Sequence, residues 1–247
     1  MPAPPARLLS VLLGLLVSLP ACGPDDPEPV PSSRLFDRAA PEAGAPRPTL
    51  AEIPEDAPLV MFLGDSFSSG LHLASNQAFP ALLQQRLAAE GLPFRLVNAG
   101  VSGDTSAGGL RRLDWLLQQQ PAILVLELGG NDGLRGQTIH GTEGSPGVYD
   151  NMRQIVERSL AVDVRVLLLG ARMPPSHGAQ YTTAFAQLYH RIADELDVPL
   201  VADFLDEVGG NDRYLLSDGL HPNPEGHERL ADTVIDELRA LLELQDA

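Results

Sequence analysis

The sequence contains no lysine, and all 17 of its basic residues are arginine. Against 33 acidic residues they leave a formal net charge of −16. A chain this acidic, with no basic cluster, repels nucleic acid and anionic membrane surfaces; Arg111 and Arg112 are an isolated pair on a predicted helix. There is one cysteine, Cys22, so no intramolecular disulfide can form. There is no internal repeat. There is also no apolar run long enough to span a bilayer: the stretch Leu8 to Leu19 has 12 residues, too few for a spanning helix and suited to the core of a signal peptide.

That stretch follows Arg7 and ends in Leu19-Pro20-Ala21-Cys22, which resembles a bacterial lipobox, in which the leader is cut before the cysteine and the sulfur is lipidated. The expectation is a leader over 1–21 and a mature lipoprotein from Cys22, with a net charge of −17 once Arg7 is gone (−16 minus one positive charge). The simpler reading is an ordinary signal cut nearby, with Cys22 incidental. Two or more acyl chains, at ~0.8 kcal/mol per buried CH₂, anchor stably where one does not. Residues 23–58 hold nine prolines and little apolar content, so 22–57 reads as an extended tether. About 190 residues then remain, enough for one domain with a substantial core.

From 58 to 247 the pattern alternates. Apolar runs at Leu59–Leu63, Phe94–Val97, Ala122–Leu128, Val164–Leu169 and Pro199–Val201 mostly lack a two-residue period, as in parallel strands buried on both faces. Helical patterns separate them, the clearest running from Tyr181 to Leu196. The last opens at Asn223-Pro224, a capping residue followed by proline at the first helical position. Five βα units in series predict a parallel sheet with right-handed crossovers and helices on both faces.

Ligands of such sheets bind outside the carboxyl ends of the strands. The first strand ends in Gly64-Asp65-Ser66. The second leads into Asn98 to Thr105, the third into Gly129-Gly130-Asn131-Asp132, and the fifth region into Asp218-Gly219-Leu220-His221. A serine hydroxyl needs a base; neutral His221 can serve, and Asp218 can fold back to fix its tautomer. An oxyanion needs aimed donors, for which the backbone N–H groups of Ser66 and Gly103 and the side chain of Asn131 are candidates. Each motif alone is a turn; their joint occurrence at successive strand ends points to a catalytic set.

The blocks Gly64-Asp65-Ser66, Gly103 in "NAGVSGDTS", "GGND" at 129–132 and "DGLHPN" at 218–223 resemble those of the GDSL-type SGNH hydrolases, and specifically the bacterial thioesterase, lysophospholipase and arylesterase branch. The likeness runs from Leu59 to the C-terminus. It implies a flavodoxin-like three-layer α/β/α sandwich on a five-stranded parallel sheet. It also implies Ser66 as nucleophile, Asp218 and His221 completing a triad, Gly103 and Asn131 as oxyanion donors, and no metal or organic cofactor. The elbow differs from the G-x-S-x-G of α/β-hydrolases, since Ser68 stands two residues after Ser66. The expected function is hydrolysis of carboxylic esters through an acyl-Ser66 intermediate, at the cell envelope, with activity falling in mild acid as His221 protonates. Alternatives are a carbohydrate O-deacetylase, a non-catalytic lipid- or glycan-binding lipoprotein, and an envelope scaffold.

Other residues carry weaker expectations. His227 reads as a helix-surface histidine, with no third ligand to make a metal site with His221. His72 lines the site or a surface turn, and His177 belongs to a loop. Arg172 is a lesser candidate for substrate contact. Asp65 and Asp132 hold loops, and Asp104-Thr105 caps a helix. Trp115 reads as a packing residue. Glu127 is anomalous: a carboxylate in a buried strand must be paired or protonated, and no partner is evident from the sequence.

Overall fold

A computed structural model describes residues 53–244. The leader over 1–21, Cys22 and nearly all of the 22–57 tether lie outside these described residues. In order, the elements are β1 (Leu59–Gly64), α1 (Ser66–Ser69), α2 (Phe79–Ala89), β2 (Arg95–Asn98), α3 (Ser106–Leu117), β3 (Ile123–Glu127), α4 (Gly130–Leu134), α5 (Val148–Leu160), β4 (Arg165–Leu169), α6 (Ala179–Leu196), β5 (Leu200–Val201) and α7 (Pro224–Glu243).

All strand pairings are parallel, in the order β2-β1-β3-β4-β5. This is the flavodoxin-like order, whose switch point falls between the first and third strands. Successive side chains point to opposite faces of a sheet. Met61, Leu63, Leu124 and Leu126 therefore pack with α3, α5 and α6, and Val60, Phe62, Ile123 and Val125 with α2 and α7. The strand bounds fall within one residue of the apolar runs. β2 departs from the expectation of burial on both faces: it is an edge strand, and Arg95 and Asn98 are exposed.

Caps set where the helices begin. Thr105 accepts the Gly108 N–H at 3.1 Å ahead of α3. Asn223 accepts the Gly226 N–H at 2.9 Å ahead of α7, with Pro224 in the first turn; such a cap contributes ~1 kcal/mol. Two side chains reverse the sequence expectation. His227 is 1 % exposed; it lies three and seven residues before Leu230 and Val234, on the same helical stripe, and its Nδ1 accepts the Phe79 N–H at 3.1 Å. Trp115 is 65 % exposed; it falls off the buried stripe of Leu113 and Leu116, and its size does not override the helical period. Among the described residues no helix is long and apolar enough to cross a membrane.

Candidate active site

The site is built at the carboxyl ends of β1 and β3, where the register sets Gly64 beside Glu127. The chain turns from β1 straight into α1, and Asp65 caps the turn by accepting the Phe67 N–H at 3.0 Å. A methyl group at Gly64 would overlap Ser68 Oγ and Glu127 Oε2, so only glycine lets the strand end this close to its neighbour. Below the turn, Glu127 Oε2 accepts from the Asp65 N–H (3.1 Å), the Ser68 N–H (3.2 Å) and Ser68 Oγ (2.8 Å). Ser66 is held at the surface of this turn, 8 % exposed.

Across the cleft, His221 Nε2 lies 3.1 Å from Ser66 Oγ and its Nδ1 lies 2.7 Å from Asp218 Oδ2. The 3.1 Å contact joins residues 155 positions apart. Asp218 Oδ1 accepts the Leu220 and His221 N–H groups at 2.9 and 3.0 Å. The His221 backbone and side-chain hydrogen bonds, followed by the Leu220 N–H, hold the Asp218 carboxyl well below the usual carboxylate range. It therefore stays an acceptor for the imidazole well into acid.

The Asn131 amide donates to Asp65 Oδ2 at 2.8 Å. Gly103 adopts φ +79°, a left-handed conformation that favours glycine, and its carbonyl accepts from Arg135 at 3.1 Å. Neither the Ser66 nor the Gly103 N–H donates to a protein acceptor among the described residues. Asp132 ties α4 to α3 by accepting the Ser106 N–H at 2.8 Å and Ser106 Oγ at 2.7 Å. Burial raises its pKa against those hydrogen bonds. Desolvation likewise pushes Asp65 up to about 6, and burial, reinforced by the Asp65 charge, holds Glu127 well above the carboxylate range.

Residues 62–229 match the model of the GDSL-like lipase/acylhydrolase family. The chain is 42 % identical over 187 residues to esterase TesA of Pseudomonas aeruginosa, covering 75 % of this chain and 90 % of that protein. It is 38 % identical over 187 residues to thioesterase 1/protease 1/lysophospholipase L1 of Escherichia coli, covering 75 % and 86 %. The chain belongs to the GDSL-like lipase/acylhydrolase family. A solved structure of the psychrotrophic esterase EstA from a Pseudoalteromonas species, inhibited by monoethylphosphonate, superposes with a TM-score of 0.68 at 31 % identity, over 75 % of this chain and 98 % of that one. This GDSL-type chain is thus a serine hydrolase of carboxylic esters.

The hydrolase carries a cleft of about 760 Å³ that begins at Ser66, Gly103, Asn131 and His221. Its walls are apolar, with Leu134, Met173, Leu205, Val208, Leu215 and Leu220 prominent. Arg172 lines it, paired with Asp206 at 3.0 Å. The His72 ring meets the His221 ring edge-on at 6.2 Å. His177 is in a single 3₁₀ turn, 3.4 Å from the Leu134 carbonyl. A smaller cavity of about 430 Å³ beside α6, lined by His140, Leu188, Arg191 and Glu195, holds none of these groups. Among the described residues no group of three or more His, Cys, Asp or Glu could hold a metal.

The sequence did not single out three supporting residues. Ser68 binds Glu127. Arg112 donates to Asp104 at 2.9 Å and to the Gly64 carbonyl at 3.2 Å, fastening α3 to the end of β1. Arg135 fastens α4 to the Gly103 loop. The eight-residue step from Asp104 to Arg112, about two helical turns, was the available signal for that pair.

Proposed function

We propose that the enzyme hydrolyses esters with Ser66 as nucleophile, His221 as base and then acid, and Asp218 as the acceptor that orients the imidazole. His221 takes the hydroxyl proton as Oγ attacks the ester carbonyl, and returns it to the leaving alcohol. Water then attacks the acyl-Ser66 carbonyl, with the same histidine as base. The Ser66 and Gly103 N–H groups and the Asn131 amide stabilise the tetrahedral oxyanion. The observation that carries this reading is the 3.1 and 2.7 Å chain from Ser66 through His221 to Asp218 at the head of an apolar cleft.

The cleft lies in the usual range for a small-molecule site, about 300–1,000 Å³, and its apolar walls favour an acyl chain longer than acetyl. Lysophospholipids and aryl or alkyl esters rank above acyl-CoA, whose phosphates meet an acidic protein. A lipid anchor at Cys22 and a tether over 22–57 are the corresponding proposal for the envelope location; Cys22→Ser should release the protein from membranes and change its mass.

The decisive experiment pairs a p-nitrophenyl ester series of rising acyl length with Ser66→Ala. The wild type should prefer the longer chains and label with a fluorophosphonate. The variant should lose about 10⁴-fold or more in kcat and take no label. A folded Ser66→Ala protein with full turnover defeats the proposal.

A further inference from the structure

Three acids are buried among the described residues: Asp65, Glu127 and Asp132. Glu127 lies beneath the nucleophile turn and takes part in no ion pair of the described residues. Its three donors all fall on one oxygen, Oε2. The Asp65 N–H is one of them, at 3.1 Å, so the two buried acids are immediate neighbours. Two neighbouring buried carboxyl groups with no cation beside Glu127 are accommodated when one of them keeps a proton and can donate it to the other. Asp65 already accepts on both oxygens, from the Phe67 N–H at Oδ1 and from the Asn131 amide at Oδ2. Glu127 is the more deeply enclosed and faces the Asp65 charge.

The other groups around the pair do not supply a cation to Glu127. Arg112 of α3 is committed to Asp104 and the Gly64 carbonyl. Tyr189 of α6 donates its hydroxyl to the Leu128 carbonyl at 2.9 Å. Asp132 of α4 is bound by Ser106.

We propose that Glu127 is a positioning residue that works as a neutral carboxylic acid, donating to the Asp65 carboxylate while accepting three hydrogen bonds from the nucleophile turn. This inference rests on the reading of the site given above. Asp65, kept as a pure acceptor, obliges Asn131 to turn its NH₂ inward, and no described residue accepts its second amide hydrogen. Glu127 thereby fixes the Ser66 turn and the Asn131 amide relative to each other, without touching substrate.

Glutamine imitates a protonated glutamate: its carbonyl can take the three donors and its NH₂ can donate to Asp65. Glu127→Ala should lower kcat on a p-nitrophenyl ester by about 100-fold, the scale of one lost oxyanion donor, with little change in KM. Glu127→Gln should recover at least about tenfold of that loss. A Gln variant as damaged as Ala would mean that the charge is needed, and a folded Ala variant with wild-type kcat would mean that nothing is positioned; either overturns the proposal. Infrared spectra cover the case of an unfolded Ala variant. A protonated-carboxyl band should be present at pH 7 in the wild type, persist in inactive Ser66→Ala and vanish in Glu127→Gln; its absence from the wild type overturns the proposal. Because that band is read in a protein without turnover, failure of the Ser66 mechanism and failure of the Glu127 role are separate results.

Discussion

The two sides of the site are built by different means. The Ser66 side is buried and cross-braced over long sequence separations: Glu127 holds Asp65 and Ser68 from 62 and 59 residues away, and Asn131 reaches Asp65 from 66. The Asp218–His221 side is a short loop held by its own neighbours, through contacts two and three residues apart, with the Asp218 side chain 39 % exposed. A strand end pinned on both flanks cannot shift, so the proposed nucleophile there is placed once by the fold. A local loop can be altered without disturbing the sheet. Damage on the first side should therefore appear in stability as well as activity, and damage on the second in activity alone.

The largest expected effect tests the local side. Asp218→Asn should cost about 10³–10⁴-fold in kcat, by presenting the wrong partner to the imidazole. It should move Tm by no more than about 2 °C, as a surface change does. Esterase kinetics and calorimetry on one preparation check both, and a large loss of Tm would remove the contrast.

Gly64→Ala comes next, on the braced side. Its methyl group would meet Ser68 Oγ and Glu127 Oε2, and overpacking of that kind costs about 1–3 kcal/mol or more. Urea unfolding should show this loss together with reduced turnover. An Ala variant of wild-type stability would show that the turn yields after all.

His227 gives a pH test of similar size. Burial lowers its pKa from 6.5 to about 4, so the folded protein binds fewer protons there than the unfolded chain. Its contribution is complete above pH 6.5 and falls by about 1.4 kcal/mol per unit as pH drops toward 4. Asp65 acts in the opposite sense: its raised value gives stability at low pH that is lost as pH rises from about 4 through 6. His227→Leu leaves the Phe79 N–H without its acceptor and should cost about 1–3 kcal/mol at pH 8. That deficit should shrink on acidification to pH 5, as followed by urea titration at several pH values; a constant difference would refute the linkage.

The smallest effect belongs to the exposed pair across the cleft. Arg172→Ala should change stability by less than about 1 kcal/mol and leave kcat near wild type. A large fall in kcat would move Arg172 into the chemistry.

Much of this was legible in the sequence because strand ends, glycines and capping residues are local signals. The GDS, GGND and DGLHPN segments each announce a break after an apolar run, and the parallel order brings such breaks to one edge. Contacts that depend on register were not legible. Glu127 stood out as a buried acid, but its partners lie about 60 residues away and become neighbours only when β3 pairs with β1 beside Gly64. His227 and Trp115 depart from expectation for another reason: helical phase outweighs residue chemistry, turning the histidine inward and the tryptophan out.

On the mechanism proposed above, the 155-residue separation of Ser66 from His221 also governs when the enzyme can first act. During synthesis the serine, its capping aspartate and the asparagine are all made well before the imidazole exists, and a hydroxyl without its base is inert. The histidine directly precedes α7, which packs against α2 on the far side of the sheet. A nascent or half-folded chain is thus silent, and hydrolysis switches on only as the closing segment docks.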